Sequence, residues 1–69
     1  MLDPQTRQQL QTKFQQVKPQ LKQRFSGLTD HDLDAGRSDP DSLITTISQK
    51  TGQPPARVEA EIRSVVGSV

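Results

Sequence analysis

Sixty-nine residues with a formal net charge of +1 allow one small domain, residues 1–69, whose own charge does not hold it open. Leu, Ile, Val and Phe together make 16 residues, enough for one modest core and too few to line a deep pocket. The absence of Cys excludes disulfides, thiolate catalysis and sulfur-based zinc sites, and a single His excludes a His pair on a metal.

In chain order, Asp3-Pro4 is a helix start: a capping carboxylate followed by proline at the first helical position. Leu10, Phe14, Val17, Leu21 and Phe25 then recur at steps of four, three, four and four, one stripe on a 3.6-residue helix. Pro19 interrupts it by lacking a donor and crowding the carbonyl of Gln15, which predicts helices over 4–17 and 20–25 with a break between. Ser26-Gly27 ends the second piece. Thr29, with Asp32 three residues on, forms a shortened capping box for a brief helix that stops at Gly36. Asp39-Pro40 repeats the opening device for a helix carrying Leu43, Ile44 and Ile47 and closing at Gly52 as a left-handed C-cap. Pro54-Pro55 restarts the chain as a last helix with Val58, Ile62 and Val65, and Val66 beside them, while residues 1–3 and 67–69 are expected to fray. No strand alternation or hairpin dipeptide occurs, so the fold class is all-α: a single-domain bundle of four to five short helices. Its predicted core is Leu10, Phe14, Val17, Leu21, Phe25, Leu28, Leu33, Leu43, Ile44, Ile47, Val58, Ile62 and Val65. No window is apolar enough to span a membrane and the first residues lack the apolar run of a secretory signal, so a cytoplasmic protein without membrane contact is expected.

The stretch from Phe14 to Ile62 resembles the CsbD-like (YjbJ-like) bacterial stress proteins. The resemblance rests on Phe14 and Phe25, eleven residues apart where the family usually has Trp, and on the turn LTDHDL at 28–33. Leu43, Ile44, Ile47 and Gly52 then follow at the family's spacing without a gap, Val58 and Ile62 fall at its small or aliphatic positions, and Pro19 stands where members often carry Gly. The chain departs from the pattern in having Phe at both aromatic positions and a double proline before the last helix. The resemblance implies a small helical bundle of the SAM-like kind and a general stress context, and it brings no catalytic residue, cofactor or substrate with it.

Several groupings invite a chemical reading. Asp30, Asp32 and Asp34, with Asp41 twelfth from Asp30, echo a calcium loop. However, Ala35 replaces the Gly of the sixth position and Asp41 is shorter than the bidentate Glu, so helix capping and dipole stabilisation explain these residues better. His31 reads as an exposed polar residue, and the two Phe as core instead of base-stacking platforms. The junction from Ile47 to Val58 echoes a phosphate-clamping hairpin, but Pro54 and Pro55 remove two of the donors such a clamp uses. Charge is unevenly spread. Residues 1–29 hold Arg7, Lys13, Lys18, Lys22 and Arg24 against Asp3, a balance of +4, and residues 30–41 hold five Asp against Arg37, a balance of −4. The five cations are a candidate interaction face for nucleic acid, or a solvated surface that pairs with the acidic turn of the same molecule. With no nucleophile–base pair and no phosphate or dinucleotide motif, the expectation is a non-enzymatic protein without cofactor or small-molecule substrate, acting through abundance or a protein partner.

Overall fold

Both Asp-Pro pairs start helices. In the computed structural model, which describes residues 2–69, Asp3 accepts from the Thr6 amide at 3.2 Å and from the Thr6 hydroxyl, opening α1 (Pro4–Thr12). Asp39 accepts from the Ser42 amide at 3.3 Å and opens α4 (Pro40–Thr51). Between them lie α2 (Phe14–Arg24) and the short α3 (Asp30–Ala35), and α5 (Pro55–Ser68) closes the chain. Gly52 ends α4 at φ 73°, the left-handed value that glycine adopts without strain, and its amide donates to Ser48 O at 2.9 Å. No strand occurs among the described residues, so the architecture is an all-α bundle of five short helices.

Helix α5 is the hub. It packs on α1, α2 and α4, and α3 packs on α4. Every residue of the predicted core is buried, and Leu2 and Val66 join them. Val69 packs partly buried against the same cluster. No large aliphatic or aromatic side chain is fully exposed among the described residues.

The break predicted at Pro19 falls instead at Lys13, whose φ −103° and ψ 20° lie outside the helical region. The reason is one of length. A straight helix over residues 4–24 would be about 31 Å long at 1.5 Å per residue, whereas the 14 residues of α5, on which both halves pack, span about 21 Å. Bending lets both halves of the stripe lie on α5. The bend forfeits little hydrogen bonding: Lys13 N donates to Gln9 O, and Lys13 O accepts from the amides of Gln16 and Val17, each at 2.9 Å. Pro19 is carried inside α2 on an exposed stretch, where its missing donor leaves the Gln15 carbonyl to water.

At the chain ends, α5 runs to Ser68, the Ser68 hydroxyl donates to Val65 O at 3.0 Å, and Lys13 Nζ donates to Val69 O at 3.0 Å. Residues 2 and 3 are anchored by the burial of Leu2 and by the Asp3 cap; Met1, grouped with them, lies outside the described residues. Gly36 ends α3 at φ −95°, an ordinary value for any residue, so conformation is not what calls for glycine there. A Cβ at Gly36 would stand 2.5 Å from Leu43 Cβ and 2.8 Å from Leu43 Cα, so the requirement is the close approach of α3 to α4.

Candidate functional site

Thr29 and Asp32 form a complete capping box. The Asp32 amide donates to Thr29 Oγ1 and the Thr29 amide donates to Asp32 Oδ2, both at 3.2 Å. Residues 30–35 are therefore helical, and the three carboxylates of the D-x-D-x-D run point to three different lysines instead of to a common centre. Lys22 Nζ lies 2.8 Å from Asp30, Lys50 Nζ 3.1 Å from Asp32, and Lys18 Nζ 2.8 Å from Asp34, with Lys18 also 3.9 Å from Asp30. Among the described residues no three His, Cys, Asp or Glu converge as ligands on a metal would.

These contacts shift the groups that make them. The Lys22 ammonium, and then the Lys18 charge, holds Asp30 below the usual carboxylate range. Lys50, helped by the Thr29 amide, does the same for Asp32. Asp34 raises Lys18 above the usual lysine value. At α1, the Thr6 hydroxyl and amide lower Asp3.

The five cations of the candidate face divide by direction. Lys18 and Lys22, one turn apart on α2, are brought together against α3. The others face elsewhere. Arg7 reaches Asp41 on α4 at 3.2 Å, Arg24 reaches Glu61 on α5 at 2.9 Å, and Lys13 reaches the Val69 carbonyl. Each of the five holds a partner within the chain, and their partners lie on three helices and at Val69.

Arg37 drew no role from the sequence. Its guanidinium carbon sits 5.3 Å from the centroid of the buried Phe14 ring, a cation–π contact. It also borders two open polar depressions that share Gln11, one reaching Lys13 and Gln15 and the other Asp34 and Ser38. The contact joins residues 23 apart, and no local pattern signals it. His31 is exposed at the start of α3. The junction between α4 and α5 is closed by its own side chains: the Ser48 hydroxyl donates to Gln53 O and the Thr51 hydroxyl to Ile47 O, both at 2.7 Å. Comparison of this chain with protein-family models, with curated proteins and with solved structures found no match.

Proposed function

We propose that this chain is a non-catalytic, stress-associated bacterial protein of the CsbD-like kind, acting in the cytoplasm through abundance or by binding a protein partner. The observation that carries this reading is the LTDHDL segment. Its Thr and second Asp cap a helix reciprocally, its two leucines, Leu28 and Leu33, are both buried, and it lies in one core with Phe14 and Phe25. The residues that carry the resemblance are thus a physically connected unit. The other positions it uses (Leu43, Ile44, Ile47, Val58 and Ile62) line the same interior.

A nucleic-acid role for Arg7, Lys13, Lys18, Lys22 and Arg24 is the alternative. It requires phosphates to displace the partner each cation now holds, at a net charge of only +1. Deleting the gene and measuring survival under osmotic, heat and stationary-phase stress tests the first reading, which expects a deficit in at least one. Normal survival in all three contradicts it. Titrating duplex DNA and single-stranded RNA at low salt tests the alternative, and no binding there ends it.

A further inference from the structure

Helix α3 is fastened unlike the other four. With six residues it is too short to hold itself as a helix. Its apolar anchors are few: Leu33, the neighbouring Leu28, and the backbone approach of Gly36 to Leu43. Toward α2, these leucines share the core with Phe14, and ion pairs add to them: Lys18 to Asp34 and Asp30, and Lys22 to Asp30. Lys50 of α4 holds Asp32, and Arg37, just beyond α3, lies on Phe14 at the start of α2. Exposed flanks bracket the helix, with Gly27 at φ 95° on one side and 37–39 on the other. The remaining helices interlock through buried stripes.

We infer that α3 is a clasp, closed onto α2 and α4 by ion pairs, that opens as a unit of its own when those pairs are screened. The pairs to α2 are accessible to salt, since the Asp30 and Asp34 side chains are 62% and 56% exposed, whereas Asp32, paired with Lys50 of α4, is 12% exposed and is screened less. Screening length falls from about 10 Å at 0.1 M to about 3 Å at 1 M ionic strength, the scale of the contacts themselves. Protonating Asp30, Asp32 and Asp34 removes the same attractions. Besides these, the charged or titratable groups around the helix are His31 on α3 itself, Lys18 and Lys22 on α2, Lys50 on α4, and Arg37.

Opening has a consequence for binding. Closed, the molecule buries its large aliphatic and aromatic side chains. Open, it presents Leu28, Leu33 and the α4 surface around Leu43. Ionic strength then sets how much apolar surface a protein partner meets. This use of the clasp rests on the protein-binding reading above; the clasp itself does not.

Amide hydrogen exchange followed residue by residue on the full chain at near-neutral pH, in 20 mM and in 1 M NaCl, is the test. The amides of Leu33 and Gly36, which donate to Thr29 O and Leu33 O, should exchange roughly three- to ten-fold faster at high salt, the scale of a few exposed pairs. Amides of α5 from Val58 to Val66 should keep their protection. The Lys18→Met/Lys22→Met variant keeps the aliphatic stems and should show faster rates than the parent already at low salt, with its salt response cut to what the Lys50–Asp32 pair still supplies. Lys18→Arg/Lys22→Arg should behave as the parent. The clasp is overturned by α3 amides that are unprotected at low salt, that ignore salt, or that speed up only in step with α5. It is equally overturned by a methionine variant as protected as the parent. None of these readouts involves a partner or a stress phenotype, so failure here leaves the proposed function standing.

Discussion

Replacing Gly36 with alanine separates two roles a glycine can have at a helix end. If Gly36 served only as a stop signal, alanine would be harmless, because φ −95° and ψ 5° are open to it and the unfolded chain would lose entropy, a gain of about 0.4–1 kcal/mol. The structure predicts the opposite sign. The new methyl would stand 2.5 Å from Leu43 Cβ, 2.8 Å from Leu43 Cα and 3.0 Å from Leu43 Cδ1, against about 3.5–4.0 Å for comfortable carbon contacts. A relief of roughly 1 Å is needed. Rotating the Leu43 side chain cannot supply it, since Cα and Cβ do not move with χ1. The C-terminal end of α3 must therefore back away from α4 and loosen the packing of Leu33 and Leu43, both with no exposed surface. Overpacking of this kind costs about 1–3 kcal/mol, and in a domain of this size each kcal/mol lowers Tm by about 4–8 °C. Circular dichroism at the helix band suits a chain without Trp or Tyr, and urea titration gives the free energy. Gly67→Ala is the internal control: it lies within α5 with nothing within 4 Å of the added Cβ, and should stabilise by about 0.5 kcal/mol. A Gly36→Ala protein melting at or above the parent temperature would refute the close-approach account.

Other substitutions probe the remaining local devices. Gly52→Ala meets no steric obstacle but must hold φ 73°, and a loss of about 1–2 kcal/mol in urea unfolding is expected. Thr29→Ala removes the acceptor of the Asp32 amide, leaves the Thr29 backbone amide to Asp32 Oδ2 half of the box in place, and should cost about 0.5–2 kcal/mol in the same assay. Pro19→Ala restores a donor to the Gln15 carbonyl and should stabilise by about 2–2.5 kcal/mol, the interior-proline penalty less the entropy returned to the unfolded chain; a neutral or negative result contradicts the placement of Pro19 inside α2. In pH-dependent melts, the carboxylates lowered in the fold (Asp3, Asp30 and Asp32) contribute above their unfolded value of 3.8, and that contribution is lost as pH falls through their folded values. Lys18, raised in the fold, contributes fully below 10.5 and loses its contribution as pH rises beyond, so Tm should fall at both ends of the range and a rise on acidification below pH 3.8 would contradict the pairing.

What the sequence makes legible here is local. The stripes on α4 and α5, the Asp-Pro starts, the Thr29 box and the left-handed Gly52 are decided within one or two turns, and each appears where its spacing places it. What it hides is set across the molecule. Lys13 is an unremarkable residue in a continuous stripe, and the chain bends there because a straight helix would overrun α5. Leu2 stands ahead of its cap with Arg7, not an apolar residue, at the position where a staple partner would be, so nothing nearby announces its burial. Gly36 reads as a stop signal until Leu43 is seen against it, and Arg37 reads as one more surface cation until it lies over Phe14.

The charge pattern stands between these cases, and it bears most directly on function. A +4 block followed by a −4 block is visible in the sequence, and their attraction follows from Coulomb's law alone. The pairing is not visible, because it depends on which face of α2 meets α3. Lys18 and Lys22 share a face by the i, i+4 rule, and that face receives α3; Arg24, two residues further on, looks toward α5 and finds Glu61 instead. A row of cations therefore counts as a surface for an outside polyanion only after its partners inside the chain are subtracted. Of the five cations of residues 1–29, four are matched to a carboxylate of the same molecule, and Lys13 donates to the Val69 carbonyl, which leaves its charge uncancelled. The same matching gives α3 its distinctive position. Beside the core contacts of Leu28 and Leu33, it has ion pairs toward α2 that salt and acid weaken, while the longer apolar stripes that bind α1, α2, α4 and α5 to one another respond to neither in that way.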